Sequence, residues 1–237
     1  MLLLFDIDGT LVSGATEAHA GALYEALHVV HGIDARAATM PIAPAGRTDP
    51  EIARALLLQA GVSADQIDAR SDAVRVRCGQ AYARLCPDDL RATVLPGVGD
   101  LLAWLAGRPG VKLGLITGNY EAVARLKLRR AGLASHFPSG QGAFGSDSED
   151  RTMLPAIARR RAGWRGSPYP RERTLVIGDT PRDIACARAD GVGCLAVTTG
   201  PFAAGELNGA DAVVGGAAGL RPVLEPLLAD TGSSGPV

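Results

Sequence analysis

Lysine is almost missing from this chain. Of the 24 lysines and arginines among 237 residues, only Lys112 and Lys127 are lysines, and none falls between Thr16 and Thr93. Basic and acidic residues nearly balance, leaving a formal net charge of -1, so no surface for nucleic acid or an anionic membrane is implied. Cysteine is sparse: Cys78, Cys86, Cys186 and Cys194 form no CxxC pair, and neither close pair suits a zinc site with the available histidines. Reduced thiols in a cytoplasmic protein are the expectation. No apolar run approaches membrane-spanning length, and Leu2 to Phe5 is too short, and lacks the cationic lead, for a signal peptide. Aromatic residues make up 4%, and Trp104 and Trp164 read as core or edge packing rather than stacking platforms. His28 and His31 are spaced i, i+3 without a third ligand, which makes them helix surface. Arg159, Arg160 and Arg161 lie near a helix C-terminus and read as a solvated face that complements the helix dipole.

What is present begins at the first residues. Met1-Leu-Leu-Leu-Phe5 leads into Asp6-Ile-Asp8-Gly9-Thr10, an apolar strand followed by two carboxylates spaced i, i+2 and a turn. Side chains two apart on a strand point the same way, so Asp6 and Asp8 can address one point at the strand's carboxyl end, where open α/β sheets bind ligands. Buried together, they need a metal, a transferable proton or a cationic substrate. Alone, the motif is equally compatible with two solvated aspartates after a strand.

Helical stretches follow. One is expected over about 16–31, a second opens at Asp49-Pro50 with Asp49 as N-cap and ends at Gly61, and a third starts at the Ser63…Gln66 capping-box pattern and runs to about Cys86. Alternation resumes with a helix over 98–106, a strand over 111–116, a helix capped by Asn119 that stops at Gly132, and a helix over about 152–162. A strand over 174–177, a helix from Thr180-Pro181 to near Gly191, a strand over 194–197 and a weaker one over 211–214 complete the pattern. Strands separated by helices imply right-handed crossovers and a parallel sheet. The chain therefore reads as a doubly wound (Rossmann-like) α/β core, residues 1–14 and 94–230. An all-helical segment, 15–93, is inserted after the first strand, and the Gly/Ser-rich tail 231–237 is expected to be disordered.

Three further groups fall at strand ends. Thr117-Gly118-Asn119 combines a hydroxyl, a glycine amide and a helix start, which together can cradle an anion or merely turn and cap. Asp179 follows the strand over 174–177 as Asp6 follows the first, and could offer a carboxylate to a hard cation such as Mg²⁺. Asp183 falls at the third helical position, where it can reach that site or cap the helix. Arg151, after Ser148-Glu149-Asp150, could balance charge between carboxylates and a phosphate, or be a surface arginine beside acids. Within the helical segment, Ala45-Gly46-Arg47-Thr48-Asp49 is a loop before a helix start, and Arg47 there would suit a carboxylate or second phosphate.

The order Asp-x-Asp-Gly-Thr, Thr-Gly-Asn, a cation, then Gly-Asp-Thr-Pro-x-Asp resembles the haloacid dehalogenase superfamily of phosphohydrolases, and within it the phosphoglycolate-phosphatase-like branch with a helical cap. The resemblance implies a Mg²⁺-dependent phosphomonoesterase acting on a small phosphorylated metabolite, as a monomer or homodimer. Asp6 would be the nucleophile that becomes an aspartyl-phosphate, and Asp8 the acid and base. Asp6, Asp8 through its carbonyl, Asp179 and Asp183 would hold the metal. Thr117, Gly118 and Asn119 would bind phosphoryl oxygens, Arg47 would read the leaving group, and Arg151 would balance charge. The family usually has lysine where Arg151 stands; Lys127 is the other candidate, in a poorer position within a helix. Dehalogenase relatives lack the second aspartate, and phosphonatase relatives need a cap lysine that this chain does not offer. A sugar phosphomutase on the same core, or a non-catalytic phosphate-binding or switch protein, are the alternatives.

Overall fold

The computed structural model describes residues 1–14, 16–36 and 39–229; the tail 231–237 lies outside them. The first strand, β1 (Leu2–Phe5), is buried along its whole length, as its unbroken apolar run requires. Three helices follow: α1 (Glu17–His31), α2 (Asp49–Gln59) and α3 (Ala64–Leu85). Then come α4 (Val98–Ala106), β2 (Lys112–Thr117), α5 (Glu121–Arg130), β3 (Ala143–Phe144), α6 (Leu154–Ala162), β4 (Thr174–Gly178), α7 (Pro181–Asp190), β5 (Gly193–Val197), β6 (Ala212–Val214) and α8 (Ala217–Ala229).

The six strands form one parallel sheet in the order β3-β2-β1-β4-β5-β6. This is the doubly wound order, and its direction of winding reverses at β1 and β4, which opens a crevice above their carboxyl ends. Alternation along β1 divides the core. Leu3 and Phe5 join a cluster with β2, α4, α5, α8 and the helices α1–α3, while Leu2 and Leu4 face a second cluster with α6 and α7. Among these three helices, α1 packs chiefly on α3. Among the described residues no helix is long and apolar enough to cross a membrane. All four cysteines are free and buried.

Several local expectations change. The N-cap of α2 is Thr48, whose hydroxyl accepts from the Glu51 amide, so Asp49 is released for other partners. Tyr120, not Asn119, begins α5. The helix expected over 152–162 starts as a 3-10 turn, Arg151–Met153, with Asp150 as its cap. Arg159 is no solvated residue: it is 5% exposed and gives both oxygens of Asp190 a nitrogen, at 2.6 and 3.0 Å. Trp164 is 76% exposed and so packs in no core. Trp104 lies between the guanidinium groups of Arg108 and Arg221, 4.8 and 5.1 Å from its ring centre.

Candidate active site

The site stands at the crevice between β1 and β4. The Asp6 amide donates to the Ile177 carbonyl (2.9 Å), which carries the β1–β4 ladder past the end of β1 and fixes where the Asp6 side chain leaves the sheet. Gly9 turns the chain at φ +86°, and a Cβ there would lie 2.3 Å from an Asp179 oxygen. A side chain at this turn would therefore be both strained and in collision with the neighbouring carboxylate. Thr10 reinforces the same junction, its hydroxyl donating to Asp179 Oδ1 at 2.9 Å.

Asp6, Asp179 and Asp183 are all buried and each offers an oxygen within 4.8 Å of the others. Burial pushes the Asp6 carboxyl up to about 7: Arg151 opposes this, while Asp183 and Asp8 add to it. Burial likewise pushes Asp179 up to about 8, helped by the charges of Asp6 and Asp183. Three carboxylates gathered in so dry a place are a fit for a hard dication with oxygen ligands. Asp183 is partly committed already. Its Oδ2 accepts from the Thr180 amide (2.9 Å) and hydroxyl (2.7 Å), closing a capping box on α7, and its Oδ1 accepts from Arg151. Asp183 thus caps α7 while standing in the acidic cluster.

Two cations enter, not one. Arg151 Nη2 lies 3.4 Å from Asp6 Oδ1 while gripping Asp183, and its Nε, though buried, has no partner. Lys127, whose side chain is 0% exposed, donates to both oxygens of Asp8 at 2.7 and 2.8 Å and to Asn119 Oδ1 at 2.9 Å. Its helix position, weak by sequence, is direct in three dimensions because α5 turns that face onto the strand ends. Burial alone would raise Asp8, but Lys127, with His19 and Asn119, overrides it and holds the carboxyl below the usual range. Asn119 also donates to Asp8 Oδ2 (3.0 Å), which is why it does not cap α5.

That capping is done from elsewhere. Asp49 Oδ2 accepts from the Tyr120 amide (2.7 Å) and is 3.0 Å from His19 Nε2, and Ser146 Oγ accepts from the Glu121 amide at 2.8 Å. The Asp49 amide donates to the Gly118 carbonyl (2.8 Å), and Thr48 Oγ1 to the Glu149 carbonyl (2.7 Å). A Cβ on Gly118 would lie 2.0 Å from the Arg47 carbonyl oxygen, so this loop rests directly on the Thr117–Asn119 turn. Arg47 faces the same space, with its Nε on the Ala43 carbonyl and its Nη1 on Glu51. The strand ends and helices together enclose a cavity of about 430 Å³ lined by Asp6, Asp8, Thr117, Asn119, Arg151 and Asp179, among others. His19 lines it as well, as does Asp49, expected only as a helix cap.

A family model for haloacid dehalogenase-like hydrolases matches residues 1–191. A phosphoglycolate phosphatase of Rhodospirillum rubrum is 33% identical over 203 residues, covering 84% of this chain and 79% of that protein. One from Synechococcus elongatus is 30% identical over 204 residues, 84% of each chain. In structure, a β-phosphoglucomutase from Clostridium difficile matches with a TM-score of 0.66 over 97% of both chains, at 15% identity, a likeness of fold. With its parallel sheet and the acidic strand ends these matches span, the chain belongs to the haloacid dehalogenase-like hydrolases, as a phosphatase of the phosphoglycolate-phosphatase-like branch.

Proposed function

We propose that the chain is a Mg²⁺-dependent phosphomonoesterase that hydrolyses a small phosphorylated metabolite through an aspartyl-phosphate on Asp6. The observation that carries this is the meeting of Asp6, Asp179 and Asp183 within 4.8 Å in a buried setting, beside a cavity that Asp8 also lines. Mg²⁺ would be held by Asp6, Asp179 and the carbonyl of Asp8, with Asp183 behind them. When bound it neutralises the carboxylates, so that Asp6 is ionised and a phosphate dianion can approach.

Asp6 Oδ attacks phosphorus and the ester P–O bond breaks, its electron pair passing to the leaving oxygen, which takes a proton from Asp8. A water oxygen then attacks the same phosphorus, Asp8 takes the water's proton, and the Asp6–phosphorus bond breaks to give phosphate and free Asp6. Lys127 and Asn119 keep Asp8 ionised in the resting site, which suits the second half. An arriving dianion raises the affinity of Asp8 for a proton, which serves the first. Arg151 holds Asp183 and faces Asp6, where it would balance the charge of an arriving phosphoryl group. Thr117, whose hydroxyl accepts from the Asn119 amide (3.3 Å), and the Gly118 amide would hold the remaining oxygens, so that catalysis would rest on placement and charge.

Residues 15–93 act in this reading as a cap over a core of 1–14 and 94–230, with the Thr48–Asp49 contacts to Gly118, Tyr120 and Glu149 as its seat on the core. Phosphate release from a panel of phosphomonoesters, with Mg²⁺ and with chelator, tests the proposal. Chelator-sensitive release is expected. Isomerised sugar phosphate without phosphate release would point instead to a mutase.

A further inference from the structure

The cavity has two unlike halves. Its core side presents Asp6, Asp8, Thr117, Asp179 and Arg151, the groups a phosphoryl group requires. The inserted helices and their loop supply the other side, where Ala20, Leu23, Tyr24, Met40, Pro44 and Ile52 line the wall beside Thr16, His19, Arg47 and Asp49. A two-carbon acid such as phosphoglycolate would carry a carboxylate into that half, and a carboxylate needs a cation or donors not otherwise engaged. The cations at hand are engaged. Arg47 is paired with Glu51 and the Ala43 carbonyl, His19 is 3.0 Å from Asp49, Lys127 spans Asp8, and Arg151 is held by Asp183. At about 430 Å³ the cavity is also within the range of sites that enclose whole organic ligands, more room than a two-carbon leaving group fills.

Resting on the phosphatase reading, we infer that the preferred substrate is a phosphate monoester with an uncharged, largely apolar leaving group, longer than two carbons, packed against Leu23, Tyr24, Met40 and Ile52. Burial of the leaving group in the helical half supplies the selectivity, and the phosphoryl end is bound alike for every ester.

The test is a homologous series of straight-chain alkyl phosphates, ethyl to hexyl, compared with phosphoglycolate and with p-nitrophenyl phosphate as a general reporter, all with Mg²⁺. Alcohol leaving groups in the series differ little in acidity, so a trend reports binding and not chemistry. The inference expects kcat/KM to climb by about fourfold per added methylene until the cavity is filled. It also expects propyl phosphate to exceed phosphoglycolate, its near match in size, by about tenfold or more. Met40→Lys, which adds a cation to the apolar wall, should narrow that gap by about tenfold and flatten the rise along the alkyl series. A flat alkyl series, or phosphoglycolate preferred over propyl phosphate, would overturn the inference and leave the phosphatase reading intact. No release from any ester, the reporter included, would overturn that reading and the inference with it.

Discussion

Two buried arginines eight residues apart pair with aspartates in opposite styles. Arg159 is saturated: it reaches both Asp190 oxygens and the Tyr169 carbonyl, and Arg171 adds a further nitrogen to Asp190 at 3.2 Å. Arg151 is not. Its Nε has no hydrogen-bond partner, and it faces Asp6 and Asp183, with Asp179 in the same cluster; burial first, and then the excess of negative charge, pushes two of the carboxyls up to about 7 and about 8. A closed pair holds helices α6 and α7 together; an open one waits for a ligand of the missing charge. Burial of an ion pair alone does not single out a site, whereas an acidic cluster that outnumbers its cation makes one a candidate.

The largest test of this contrast is Asp6→Asn, which keeps the shape of the open cluster and removes its nucleophile. Turnover should fall by about 10⁴-fold or more with the fold intact by circular dichroism. Next, Arg159→Ala strips the closed pair and leaves Asp190 buried. It should cost about 3 kcal/mol of unfolding free energy in urea, and kcat of the folded protein should be unchanged. A loss of kcat with full stability would erase the distinction. Lys127→Met should lower kcat by about 10²- to 10³-fold by freeing Asp8 from its cation, and Arg151→Met should fall in the same range. If only one of the two matters, the site has one working cation and not two.

The smallest effect concerns pH. Asp6 and Asp179 bind protons more tightly in the folded, metal-free chain than when unfolded. Their contribution to stability is therefore whole below the ordinary carboxylate range and is lost as pH rises through about 7 and about 8. Mg²⁺ relieves the repulsion among ionised carboxylates, so its addition should raise Tm by more at pH 8 than at pH 5. An equal shift at both, read by differential scanning fluorimetry, would show that the cluster does not bind the ion.

Much of this was legible in the sequence because it is local. The buried run of β1, the crossovers and the acidic strand ends follow from patterns of a few residues, and so does the Ser63…Gln66 capping box. What was missed depends on distant packing. Lys127 lies on the same face of α5 as Val123, Ala124 and Leu128, all buried. Carried as the second candidate cation because it lies within a helix, Lys127 had a signal in its favour: a cation inside an apolar helical stripe. Asp49 read as a cap because it precedes Pro50, but Thr48 takes that place and Asp49 turns to His19 and Tyr120, far off in sequence. Arg159 looked solvated because its partner Asp190 is on another helix. Two elements left no usable pattern: β3 is a two-residue edge strand, and α8 contains Pro222 and Pro226 yet forms over the buried Ala217, Leu220 and Leu224.

The central claim is that Asp6 is a nucleophile in a metal-dependent site. Rapid chemical quench of the enzyme turning over a phosphate ester with Mg²⁺, followed by peptide mass spectrometry, tests it most directly. The account predicts a phosphoryl group on the peptide containing Asp6, absent with chelator and absent in Asp6→Asn. Phosphate release with no phosphoryl group on that peptide, or undiminished turnover by Asp6→Asn, would contradict it.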